Sequence, residues 1–178
     1  MCNITTGILK SCGYAVGGNS IDLYIGNASG VRVTTFGTSS VVTGITGSFY
    51  KVEVSTDTLI DTDNMIIGAA QNKFFEHKVA FKIADSSNEL RAVMEDLGTA
   101  RTVMVIRDKN GVYKAYGLSG LTLGSGLDTK VLNFNSGGAS ADEYGYTVEA
   151  MENFTNPHYI FDASLEPTGT GVGPYTFS

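Results

Sequence analysis

Along several short stretches of the chain, apolar and polar residues alternate with a period of two, the pattern of half-buried β-strands. Ile21, Leu23 and Ile25 alternate with Asp22 and Tyr24 and predict a first strand. Val31 to Phe36 predicts a second, after a hairpin-like loop at 26–30. From Phe49 to Ser55, Tyr50, Val52 and Val54 share one face, and Lys51, Glu53 and Ser55 the other. Phe74 to Ile83 is the clearest strand. Phe75, His77, Val79, Phe81 and Ile83 point one way; Phe74, Glu76, Lys78, Ala80 and Lys82 point the other. Val103 to Arg107 is an apolar, β-branched run. Asp108-Lys109-Asn110-Gly111 follows, and Asn-Gly is a strong hairpin signal. The return strand is then 112–118, continued by Leu121 to Leu123 after a bend at Gly120. Val131 to Phe134, Tyr144 to Met151 and Tyr159 to Phe161 complete the set. Residues 37–48 and 124–143 are rich in Gly and Ser and read as loops. In 56–72, Asp57, Asp61 and Asp63 interrupt Leu59-Ile60 and Met65-Ile66-Ile67, which predicts a long loop or a projecting hairpin.

One segment has a helical period instead. Ser86-Ser87-Asn88-Glu89 fits a capping box, in which the Ser86 hydroxyl bonds the Glu89 amide. Leu90, Val93, Met94 and Leu97 recur at i, i+3, i+4 and i+7, one apolar stripe. Gly98 stands where a left-handed C-cap would end the helix. The sum is a mainly β chain with seven to nine strands and one flanking helix at about 86–97. The expected fold is a single domain over 1–178, an antiparallel β-sandwich or partly closed barrel. Within it, 1–19 reads as an N-terminal arm, 20–164 as the core and 165–178 as a C-terminal tail. That tail is expected either to stay loose or to dock on a neighbour.

Composition sharpens the picture. The 178 residues carry only 17% charged side chains, against about 25% in ordinary soluble domains, and 22 glycines. Low charge with many aromatics points to surface that other subunits cover. The net charge is −6, whereas a free-standing nucleic-acid binder is typically basic. The N-terminus shows no signal-peptide pattern, and no apolar run is long enough to span a membrane. Synthesis in a reducing cytoplasm is therefore the expectation, with Cys2 and Cys12 as free thiols.

Signatures of catalysis and cofactor binding are sparse. The phosphate-binding loop, the His-Glu-x-x-His helix and the Gly-x-Ser-x-Gly elbow do not occur. The chain has two histidines. His77, on the apolar face of the best strand, reads as a packed and hydrogen-bonded residue. His158, after Pro157, reads as a surface loop residue. Asp57, Asp61, Asp63 and Asn64 lack the glycine and closing glutamate of a calcium loop and read as a solvated turn cluster. Glu143 and Glu149 lack any sign of the cleft that paired catalytic carboxylates need. The expectation is a non-enzyme with no cofactor and no metal. Contact with other subunits is expected from two segments instead. One is the weakly charged arm, through Ile4, Ile8, Leu9, Tyr14 and Val16. The other is the segment at 56–72, through Leu59, Ile60, Met65, Ile66 and Ile67.

The order of elements resembles a known family. The strand from Lys73 to Ile83 is followed by the helix at 86–97, then by Thr102 to Gly117, then by Gly145 to Ala150. Together with the start Cys2-Asn3-Ile4-Thr5-Thr6-Gly7 and Cys12, this resembles tail tube proteins of tailed bacteriophages of Bacteroidetes-type hosts. The resemblance covers about 1–25 and 49–154; the segment with Pro157, Pro167 and Pro174 departs from it. It implies a virion structural protein of the viral tail. Its partners would be copies of itself in a homo-oligomeric ring, a hexamer in that family, and other tail proteins. Stacked rings would form a conduit through which DNA passes without specific binding. An acidic lining would repel phosphate, which fits the net charge. Two alternatives stay open: another virion component (head decoration, connector or tail terminator), or a bacterial surface β-sandwich binding module.

Overall fold

The apolar run at 101–108 becomes the strand on which the fold is built. The computed structural model describes residues 18–55, 57–85, 87–119, 125–137, 144–171 and 173–178. The arm residues Ile4, Ile8, Leu9, Tyr14 and Val16, both cysteines, Ser86, Leu121 to Leu123 and Glu143 lie outside the described residues. The strands are β1 (Asn19–Asn27), β2 (Arg32–Phe36), β3 (Val42–Thr46), β4 (Phe49–Glu53), β5 (Ile60–Ile67) and β6 (Lys73–Ile83). The helix α1 (Asn88–Thr99) follows, then β7 (Arg101–Asp108), β8 (Tyr113–Tyr116), β9 (Leu127–Asn135) and β10 (Gly145–Phe154). The short β11 (Tyr159–Ile160), β12 (Pro167–Thr168) and β13 (Thr176–Phe177) end the chain.

Nine strands form one antiparallel sheet that bends into two halves. One half is β4-β1-β7-β8-β11; the other is β9-β10-β6-β5. They join at one corner, where Arg101 and Thr102 of β7 pair with Asp128 and Leu127 of β9. Arg101 clamps this corner with a two-pronged bond to Asp128, at 2.9 and 3.3 Å, and a third to Glu152 at 3.1 Å. At the opposite side no backbone ladder joins β5 to β8 or β11 among the described residues, so the barrel is not closed. The fold is mainly β and sandwich-like, with one helix, as the sequence pattern predicts.

β7 explains why two cores exist. Thr102 to Ile106 are buried without interruption. Met104 and Ile106 face the space between the halves, with Leu23, Val79, Phe81, Val148 and Tyr116. Val103 and Val105 face the opposite way, into a second core under the β2–β3 hairpin and the C-terminal segment. The expected loop at 37–48 therefore contains β3, which pairs with β2 and puts Val42 and Ile45 into this second core. Tyr24, expected on the polar face of β1, is buried there too. The C-terminal segment is not a loose tail: its described residues Leu165 and Phe177 are buried in this core. Phe177, only 4% exposed, makes edge-on ring contacts with Tyr24, Phe49, Tyr113 and Phe161 at 5.1–5.6 Å.

The helix starts and ends slightly later than its sequence signals indicate. Ser87 is the N-cap, and its hydroxyl accepts the Leu90 amide at 3.2 Å. The helix runs through Gly98 to Thr99 and is capped by Ala100, so Gly98 is no left-handed terminus. Its lack of a side chain serves packing: a Cβ there would stand 3.3 Å from Leu132 of β9. Met94 and Leu97 are buried in the inner core and Leu90 packs at its margin, but Val93 is 53% exposed. The β7–β8 turn also differs in type. Only Gly111 has positive φ, at 83°, and the Asp108 carboxylate accepts the amides of Asn110 and Val112 at 2.8 and 2.9 Å. This is a type I turn closed by a left-handed glycine, and not the I′ turn that Asn-Gly favours.

Leu97→Ala is expected to lower stability by about 2–4 kcal/mol, because it opens a cavity in the inner core. Val93→Ala should change it by less than about 0.5 kcal/mol. Phe177→Ala, at the penultimate position, should cost about 3–5 kcal/mol. Urea denaturation of the three variants checks all three figures. A Phe177→Ala chain as stable as the parent would mean that the terminal segment is not part of the core.

Candidate functional site

The period-two pattern of β5 has a chemical consequence. Asp61 and Asp63 pair in register with Val79 and His77 of β6, so both carboxylates lie on the inward face of the sheet. They are not the solvated turn cluster that the sequence suggests, although Asp57, before the strand, is exposed. Across the open side of the sandwich stand Lys114 and Tyr116 of β8 and the loop that connects β10 to β11. Side chains bridge the gap that the backbone leaves.

Asp61 takes hydrogen bonds from the Tyr116 hydroxyl and, at 2.6 Å, from the Asn19 amide. The Lys114 ammonium lies 3.5 Å away. Asp63 Oδ2 accepts two bonds from His158, the backbone N–H at 2.8 Å and the ring Nδ1–H at 2.9 Å. That bond fixes the His158 tautomer, because a carboxylate only accepts. His158 is thus half-buried and held, not a free loop residue. His77 is fully buried, as its place on the strand predicts. Its Nε2–H donates to the Asn156 carbonyl at 3.0 Å, and its ring stacks on Phe154 at 4.5 Å. Tyr116 stands between the two imidazoles, edge-on to His77 at 5.6 Å and stacked on His158 at 5.2 Å. Of the buried side-chain atoms without a hydrogen-bond partner among the described residues, two belong to this group: His77 Nδ1 and Asp63 Oδ1. Asp63 Oδ1 lies 3.9 Å from His77 Nε2, too far for a hydrogen bond.

The electrostatics follow from this geometry. Burial pushes the Asp61 carboxyl up, but the bonds from Tyr116 and Asn19 and the Lys114 charge outweigh it and hold the pKa below the ordinary value. Burial and the bond to Asp61 push the Tyr116 phenol far up, so it stays a donor. His77 is held below the usual histidine range, first by burial and then by His158; Asp63 and the Asn156 carbonyl oppose this.

An Asp–His pair invites comparison with a catalytic base. An open groove of about 460 Å³ runs beside His158, lined by Ser40, Val41 and residues 156–160. A base of this kind needs a nucleophile within hydrogen-bond reach. No hydrogen bond joins Ser40 to His158 among the described residues, and no cluster of three or more His, Cys, Asp or Glu there is arranged to hold a metal. What the arrangement does is fasten β5 to the opposite half of the sheet. The sequence carried one signal of it, the spacing of Asp61 and Asp63, which places both on one face of any strand.

The other half of the candidate surface lies further along β5. β10 ends where Phe154 pairs with Phe75, so 66–74 continue as a two-stranded ribbon beyond the sheet. The projecting hairpin expected at 56–72 is therefore β5, its turn at 68–72 and the start of β6. Ile60, Met65 and Ile67 are 57%, 56% and 60% exposed, and Ile66 is half-buried. Leu59, expected at an interface, is buried in the inner core of its own chain. No helix among the described residues is long and apolar enough to cross a membrane. Compared with family models, curated proteins and solved structures, the chain matches none.

Acid should loosen the fold in two steps. Unfolded histidine binds a proton near pH 6.5, and folded His77 binds it only at lower pH, so below 6.5 the unfolded chain holds more protons and stability falls. Asp61 adds a second loss below about pH 3.8. Tyr116→Phe removes a donor to a buried carboxylate. It should cost about 1–3 kcal/mol at neutral pH and shrink the second step, because without that donor the folded Asp61 pKa rises toward its unfolded value. Urea midpoints measured between pH 3 and 8 test both, and a midpoint that does not change with pH would refute the assignment.

Proposed function

We propose that the chain is a self-assembling structural subunit and, on its resemblance to phage tail tube proteins, a component of a virion tail tube. The observation that carries the assembly reading is the apolar end of β5. From Asn64 to Phe75 the ribbon has one charge, Lys73, and exposes Met65 and Ile67. The outer edge of β5 has no backbone partner among the described residues. A strand edge of this kind is a template for pairing, and monomeric proteins normally blunt it with charge, proline or a covering segment. In the tube reading, copies associate into rings through such surfaces, rings stack, and DNA passes along the lumen. The arm at 1–19 would reach from one ring to the next. A second reading, a bacterial surface binding module, draws on Phe134 and Tyr144, both half-exposed and in edge-on contact at 5.8 Å.

Sedimentation velocity and negative-stain microscopy of the full chain test the proposal. Particles much heavier than 18.8 kDa, seen as rings or tubes, are expected. Met65→Lys with Ile67→Lys should weaken association by at least about tenfold, since each exposed apolar side chain forgoes roughly 1.5–3 kcal/mol of burial. The circular dichroism should be unchanged. Removing residues 1–16 should leave folded subunits that no longer stack. Only 18.8 kDa particles from the full chain at millimolar concentration would overturn the assembly reading. Unaltered tubes from the lysine variant would remove the ribbon from it.

A further inference from the structure

The two sheet halves meet at a corner made of backbone and at a seam made of side chains. The seam contains both histidines of the chain. We propose that Asp63, His77 and His158 form a proton-operated clasp, closed at neutral pH and opened by mild acid, which frees β5 from β8 and the 155–158 loop and leaves its ladder to β6 as an unsupported edge that frays, while the β1–β7–β8 half stays folded.

The seam holds fewer acceptors than a second positive imidazole would need. Asp63 is the carboxylate beside both imidazoles, and its Oδ2 is already engaged twice by His158. The other charged groups of the seam are committed. Asp61 is bound by Tyr116, Asn19 and Lys114. Lys114 also reaches Asp108 at 3.9 Å. On β10, Glu152 stands opposite His77 in register, but its carboxylate is held by Arg101 of β7 at 3.1 Å. On its own strand His77 is flanked by Glu76 and Lys78, which point to the outer face, where Lys78 pairs with Glu149 at 2.8 Å. One carboxylate therefore has to serve two imidazoles.

A proton on His158 strengthens its bond to Asp63. A proton on His77 must go to Nδ1, which is buried and faces no acceptor among the described residues. The closed seam has room for one positive imidazole, whereas an opened seam lets water solvate both. An unpaired buried charge is expelled before it is tolerated. The ring of His77 leaves its stack with Phe154, and the contacts across the seam go with it. The backbone ladder of β7 does not depend on either histidine. The clasp stands on the subunit alone and goes beyond the assembly reading.

Amide exchange of the full chain, expressed as protection relative to the free peptide, tests it. As pH falls below 6.5, protection at residues 60–64 should drop about tenfold per pH unit, one proton's worth, while that at Val103 to Ile106 drops far less. His77→Phe keeps the stacking and removes the proton site, and should flatten the response of β5. Equal loss in β5 and β7, no loss in β5, or an unchanged response in His77→Phe would each overturn the clasp. Should that variant not fold, ring NMR of the parent decides. With two histidines, both titrations can be followed. The amide shifts of β5 should then move with the His77 step. Movement with the His158 step alone, or with neither, overturns the proposal.

Discussion

A strand buried on both faces sets the terms for this fold. Five consecutive residues of β7 are removed from water, and their side chains alternate between two sides. An apolar strand of this kind cannot sit at the surface of a single-layer sheet, because each uncovered side chain would forgo roughly 1.5–3 kcal/mol. Two covers are required. The bent second half of the sheet and the helix supply one. The β2–β3 hairpin and the C-terminal segment supply the other. The end of the chain is thus drawn back to its middle, and Phe177 closes a ring cluster with residues from β1, β4, β8 and the segment after β11.

The same bend creates the seam. A sheet that folds over on itself either completes its hydrogen-bond ladder or leaves two edges facing each other. Here the edges face each other, and β5 carries aspartates where an apolar inward face would be expected. Buried carboxylates are tolerated when donors converge on them. Asn19, Tyr116, Lys114 and His158 are those donors, and they come from β1, β8 and the loop before β11. The seam is consequently specific in register, since a one-residue slip of β5 would turn both carboxylates to the outer face. It is also sensitive to protons, as a backbone ladder is not.

Local patterns made much of this legible. The alternation in Phe74 to Ile83 located β6 and its buried histidine, and the leucine and methionine stripe located α1. The misses share a cause. β3 is short, contains Gly44 and is held by pairing with β2, so its sequence resembles a loop until the partner is known. Tyr24 and Phe177 are buried by segments distant in the chain, which no local period reports. His158 looked like a surface residue because its partner lies 95 positions away. Gly98 was misleading for a different reason, since it answers to Leu132 across a packing contact and not to the helix terminus. The seam was hardest to read because polar residues in a strand pattern ordinarily mark the solvent face.

β5 therefore has two halves with opposite chemistry. From Ile60 to Asp63 it is tied to the body by charged and aromatic groups, and from Met65 to Ile67 it is apolar and, among the described residues, pairs with β6 alone. Inward-pointing charges are one of the devices by which natural proteins prevent edge strands from pairing with other chains. Here that device protects the half of the strand over the seam and stops short of the ribbon. A chain with nothing to bind would gain solubility from a second charge near Lys73, at no loss of core contacts, because Met65 and Ile67 bury little. That such a charge is absent from the ribbon fits the assembly proposed above, in which its apolar surface would be covered. The fastening at Asp61 and Asp63 then determines how rigidly that surface is presented, because an edge strand pinned at one end loses less conformational freedom on binding than one that is loose throughout.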